Sequence, residues 1–243
     1  MGNRVVHFEV GSRDHETLLG FYEALFGWRL RRAGEGYTLV DTQAGRGIAG
    51  GIGRSSDGTP WVSFYVAVED PQAVLEQAAS RGGTTVMPVT AFPGLRVAML
   101  GDPDGNLVGL VSADSTMIGG PPSAGEGPAV EWFEVLGTDA DRTRRFYCEL
   151  FGWEANESGF PGYRLVDTRS GEGSIGGGLG AGQGGQTWAT VYASVPDVEA
   201  TLHRAETLGG DRVYGPNPVD DHMRTAAFRD PAGNVFGVYE HHH

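Results

Sequence analysis

Residues 5–28 read VVHFEVGSRDHETLLGFYEALFGW, and residues 130–153 read VEWFEVLGTDADRTRRFYCELFGW. Each begins with six residues alternating at the two-residue period of a strand and continues with apolar residues at the spacing of an amphipathic helix. Asp14 stands where an N-cap belongs. Further on, YTLVDT from Tyr37 returns as YRLVDT from Tyr163, WVSFYVAVED from Trp61 as WATVYASVPD from Trp188, and GDPDGNLVGLV from Gly101 as RDPAGNVFGVY from Arg229. The offset drifts only from 125 to 128, so the chain is a duplication.

A copy of about 110 residues is far longer than a solenoid repeat and forms a domain of its own. The expected limits are 4–112 and 128–240, joined by 113–127, whose Pro, Gly and Ser content suits a linker. Within a copy the pattern is strand, helix and three short strands, then the same again. The helix PQAVLEQAAS is closed by Gly82 and Gly83. The fold expected is α+β, with βαβββ twice per domain.

Of the 243 residues, 18 are basic and 31 acidic, a net charge of −13. That charge repels phosphate backbones and anionic membrane surfaces, so neither nucleic acid nor membrane is expected as a partner. The single cysteine, Cys148, lies in a helix-forming stretch and reads as a packed thiol in a reducing compartment, so the expected location is the cytoplasm. No signal sequence or spanning segment is read. The closing histidines 241–243 read as a purification tag, which leaves His7, His15, His203 and His222.

The paired βαβββ pattern, the FYxxLFGW helix ending and the DPxGN turn, in order in both copies, resemble the vicinal oxygen chelate superfamily of glyoxalases, extradiol dioxygenases and bleomycin-resistance proteins. The resemblance implies two tandem glyoxalase-like domains, each a curved mixed sheet around a cavity. It also implies three metal-ligand positions per domain, occupied here by His7, Ser63 and Gly109 and by Trp132, Thr190 and Gly237. Only His7 is a metal ligand by type, so no metal cofactor is expected. His7 then reads first as a hydrogen-bonding cavity residue, and as part of a non-standard metal site in the alternative.

Strand alternation puts Glu9 on the face of His7, Glu134 on that of Trp132, Tyr65 beside Ser63 and Tyr192 beside Thr190. Arg96 and Arg224 open equivalent strands. Glu9 and Glu134 are the candidate catalytic residues. His7, Ser63, Tyr65, Arg96, Trp132, Thr190, Tyr192 and Arg224 are the candidate ligand-binding residues. The glycine runs GRGIAGGIG and GEGSIGGGLG lack the lysine of a phosphate loop and read as tight strand connections. The expected function is metal-independent capture of a partly aromatic compound, as bleomycin-resistance proteins do, by a monomer or homodimer. The alternative is a glyoxalase-like enzyme, a lyase, isomerase or hydroxylase, using Glu and Tyr as acid and base. Whether modules pair within a domain or between domains stays open at this point.

Overall fold

The computed structural model describes residues 2–55, 57–115, 121–169 and 174–241. Part of the expected linker, 116–120, and the tag residues 242 and 243 lie outside that range. The first copy forms β1 (Val5–Ser12), α1 (His15–Phe26), β2 (Arg29–Gly34), β3 (Tyr37–Asp41), β4 (Ala49–Arg54), β5 (Trp61–Val68), α2 (Pro71–Ser80), β6 (Thr84–Phe92), β7 (Leu95–Gly101) and β8 (Leu107–Ser112). The second forms β9 (Val130–Gly137), α3 (Ala140–Phe151), β10 (Glu154–Glu157), β11 (Tyr163–Asp167), β12 (Gly176–Ala181), β13 (Trp188–Ser194), α4 (Val198–Thr207), β14 (Asp211–Pro218), β15 (Met223–Arg229) and β16 (Val235–His241). The α+β class and the doubled βαβββ order are as expected. Among the described residues no helix is long and apolar enough to cross a membrane.

Strands run β2-β3-β4-β1-β5-β8-β7-β6 in one sheet and β10-β11-β12-β9-β13-β16-β15-β14 in the other. Both sheets are mixed: β5 pairs with β8 in parallel, while β6, β7 and β8 pair antiparallel. The helices begin where an aspartate accepts from their free amides. Asp14 takes the Thr17 N–H, Asp70 those of Gln72 and Ala73, Asp139 that of Arg142, and Asp197 that of Ala200. The helices α1 and α3 end at Gly27 (φ 69°) and Gly152 (φ 68°), whose amides close on Glu23 and Cys148. That left-handed turn explains the glycine of FGW.

Two compact units emerge, and each draws on both copies. One comprises Met1–His7, Ser63–Gly120 and Trp132–Ala189; the other comprises Phe8–Val62, Pro121–Glu131 and Thr190–His243. In the first, Phe133 packs at a tilt between Phe64 (centroids 4.7 Å apart) and Trp153 (5.0 Å), and the Trp153 indole donates to the Asn3 carbonyl at 2.7 Å. In the second, Phe8 lies 5.4 Å from Trp28 and 6.3 Å from Phe236, and Trp28 donates to the Pro128 carbonyl at 3.0 Å.

A buried staple completes each core. In the first unit the Tyr147 hydroxyl of α3 donates to the Asp102 carboxylate at 3.1 Å, which also accepts from the Asn106 amide and side chain. Asn106 donates in turn to the Leu136 carbonyl. In the second unit Tyr22 donates to Asp230 at 3.1 Å, Asn234 binds the same carboxylate, and Asn234 donates to the Gly11 carbonyl. Burial raises Asp102 and Asp230 above the ordinary aspartate value, against the pull of these donors. The FYxxLFGW and DPxGN motifs are therefore two halves of one structural joint, made between copies.

Candidate functional site

Phe8 and Phe133 of β1 and β9 enter the aromatic cores, so the alternate residues of those strands face the other side of each sheet. In the first unit that face carries His7, which meets the Tyr65 ring edge-on at 5.7 Å. His7 is buried, and desolvation pulls its imidazole down to about 3, so it is neutral at physiological pH. Tyr65 packs among Val6, Ala67, Val97 and Val111. A Cβ placed on Gly109, its partner across β5 and β8, would fall 2.4 Å from the Tyr65 ring. The Ser63 hydroxyl donates to the Leu107 carbonyl at 3.0 Å.

The first unit also holds Glu134. Its carboxylate accepts from the Tyr163 hydroxyl at 3.0 Å and from the Trp188 indole at 2.8 Å. Tyr163 reaches it over Gly178, where any side chain would strike the phenol oxygen. Trp132 lies over Gly176, whose added Cβ would stand 3.3 Å from the indole.

In the second unit Glu9 is buried, and Tyr37 and Trp61 surround it: an added Cβ on Gly53 would meet the Glu9 carboxylate at 2.8 Å, Trp61 at 3.5 Å and Tyr37 at 3.6 Å. Burial, and then the Glu9 charge, lift the Tyr37 phenol well above its ordinary value. Tyr192 lies on the same unit's β13, where its hydroxyl is 2.9 Å from that of Tyr214, itself 3.3 Å from the Thr225 hydroxyl. An added Cβ on Gly237 would fall 2.2 Å from the Tyr192 ring. The Thr190 hydroxyl donates to the Val235 carbonyl at 2.7 Å. Nearby on the sequence, Tyr239 donates to Glu131, which also pairs with Arg46; burial and then Glu131 push that phenol up to about 12.

The two arginines stand elsewhere. Thr225 shares its face with Tyr192, so its neighbour Arg224 points to the opposite one. There Arg224 pairs with buried Glu240, whose other oxygen accepts the Val198 amide at the start of α4. Arg96 likewise adjoins Val97, which packs with Tyr65, and reaches the exposed Asp114 at 3.7 Å. Arg224 thus lies on the helix side of its strand, and Arg96 faces away from Val97, because one step along a strand reverses the face. Tyr37, Tyr163, Trp61, Trp188 and Tyr214 were not among the sequence candidates. The first four recur as pairs in the repeat, which was the signal available for them; Tyr214 has Met87 near its place in the other copy and gave none.

The family model described as "Glyoxalase/Bleomycin resistance protein/Dioxygenase superfamily" matches residues 4–110 and again 129–238. The chain belongs to this superfamily. It is similar to a protein named "Putative glyoxylase CFP32" from Mycobacterium tuberculosis, at 27% identity over 95% of this chain and 92% of that one. It is also similar to the anthracycline biosynthesis protein DnrV of Streptomyces peucetius, at 33% identity over 46% of each chain. Among solved structures, the Mn(II)-bound glyoxalase of Novosphingobium aromaticivorans shares the fold with a TM-score of 0.67 and 15% identity, over 98% of this chain and 83% of that one. The 2,3-dioxygenase LapB of Pseudomonas sp. KL28 does so with 0.65 and 14%, over 100% and 94%.

Members of the superfamily include metal enzymes, but the described residues at the positions the resemblance implies do not fit such a centre. At the positions the resemblance implies, the Ser63 and Thr190 hydroxyls are committed to backbone carbonyls, and Tyr65 and Tyr192 cover the two glycines. Among the described residues no three His, Cys, Asp or Glu side chains converge.

Proposed function

We propose that this member of the superfamily captures a partly aromatic small molecule without an essential metal. The observation that carries this reading is the pair of tyrosine rings lying over Gly109 and Gly237. A third metal ligand there would collide with a phenol, so the sheet offers flat aromatic surface and hydroxyl groups in place of a Lewis acid. The name of DnrV ties that relative to anthracyclines, fused-ring aromatic compounds, which supports the same ligand class here. The proposal includes domain limits of 4–112 and 128–240 with 113–127 between them, a cytoplasmic location, and a monomer or homodimer.

A thermal-shift screen of aromatic metabolites on tag-free protein, with elemental analysis of the same preparation, tests it. A ligand that binds the folded state raises the melting temperature. Stoichiometric divalent metal whose removal abolishes binding would overturn the reading.

One observation favours a second reading, an enzyme working by acid–base chemistry. Glu134 is held in one orientation by a phenol and an indole, as a positioned base would be. Both donors already occupy the carboxylate oxygens, which makes an anchoring role for a ligand hydroxyl or amine the better use of Glu134. Turnover of an identified substrate that persists in Glu134→Gln and Glu9→Gln would remove the enzymatic roles of both carboxylates.

A further inference from the structure

The two copies build the same trio, a first-strand glutamate, a tyrosine from the third strand and a tryptophan opening the fifth, yet they finish it differently. In the second copy the Trp188 indole donates to Glu134 at 2.8 Å. In the first, the Trp61 Nε1 is buried and has no hydrogen-bond partner among the described residues. Its ring lies flat on β1, where an added Cβ on Gly11 would come within 2.3 Å, and the same ring edge approaches Gly53 beside the Glu9 carboxylate. A buried donor left unmade is destabilising, so this position calls for an acceptor that the described residues do not supply.

We infer that the first-copy trio is the selective ligand site, and that its ligand places a neutral carbonyl oxygen on the Trp61 indole. The inference rests on the aromatic-capture reading above and adds to it which trio selects and what it selects. Glu9 fixes the charge: its carboxylate borders the same glycine as the Trp61 ring, so an anionic acceptor is repelled while an uncharged ketone, quinone or amide oxygen is accepted. The second-copy trio satisfies its own indole and has no such requirement.

Three matched probes test this: 2-acetylnaphthalene, 2-naphthoate and 2-ethylnaphthalene. Calorimetric titration of the full chain should show the ketone bound more tightly than either the anion or the hydrocarbon. Trp61→Phe should erase the preference of ketone over hydrocarbon, a loss of about fivefold to tenfold, the worth of one hydrogen bond. Trp188→Phe should leave that preference in place. In an indole-15N spectrum of the wild type, the Trp61 Nε1–H should resonate upfield without ligand and move downfield with the ketone. A preference untouched by Trp61→Phe, or a Trp61 signal already downfield and unmoved, as a resident water would give, overturns the inference and leaves aromatic capture standing. If none of the three naphthalenes binds, aromatic capture falls and the inference falls with it.

Discussion

His7 is the one metal ligand by type among the positions that the resemblance implies, and its burial gives it a measurable signature. Its folded value of about 3 lies below the unfolded value of 6.5. The stability that its neutral form contributes is therefore complete above pH 6.5 and is lost as pH falls towards 3, at up to about 1.4 kcal/mol per pH unit. In His7→Gln, which cannot charge, the melting temperature should fall less steeply than in the wild type between pH 6.5 and 4; parallel curves would show that burial does not hold the imidazole neutral. The tyrosine over each glycine gives a second test. Gly237→Ala should destabilise by about 1–3 kcal/mol through overpacking, and in Tyr192→Ala the same change should cost much less, since the colliding ring is gone. Denaturant melts of the four proteins in that cycle decide it, and additive costs would count against the contact. At this scale the sequence revealed faces better than partners. Alternation was enough to align His7 with Glu9 and Tyr65 with Ser63. It did not reveal that Tyr163 and Trp188 converge on Glu134 from separate strands, because cross-strand neighbours depend on register. Arg96 and Arg224 were judged by their equivalent places, and equivalence carries no information about side.

Helices and turns were the most legible elements, because their signals are local: an aspartate cap, a glycine exit and a 3.6-residue stripe. The joint between α3 and the turn before β8 was not legible, since Tyr147 and Asp102 are far apart in sequence. Its energetics can be read from the acid side. Asp102 is raised above its unfolded value chiefly by burial, so its charged form carries a cost at neutral pH that is relieved as pH falls through the folded value towards 3.8. Asp102→Asn removes that dependence. Wild type should gain stability relative to this variant on acidification across that window, and a constant difference would contradict the assignment. Tyr147→Phe withdraws one donor from the desolvated carboxylate and should cost about 1–3 kcal/mol in a urea melt; a neutral effect would mean that the hydroxyl is dispensable. Tyr22→Phe should behave alike through Asp230.

For the molecule as a whole, duplication could be read directly from the repeat, whereas the way the copies share their cores could not, because hydrophobic periodicity marks a buried face without naming what buries it. Each compact unit takes segments from both copies. Expressed alone, residues 1–112 should therefore not give a monomer with one cooperative unfolding transition, and light scattering together with a denaturant melt would show it; a stable monomer would mean that a copy closes its own core. The reciprocal joints also shape how such a gene can change. Tyr22 answers to Asp230 and Tyr147 to Asp102, so a lineage that altered a helix in one half would have to accommodate a turn in the other. Met87, where its counterpart region has Tyr214, takes no part in those two joints. The joints hold the two halves to a common frame while leaving positions such as Met87 and Tyr214 free to differ, which is how one ancestral surface can become two unlike ones.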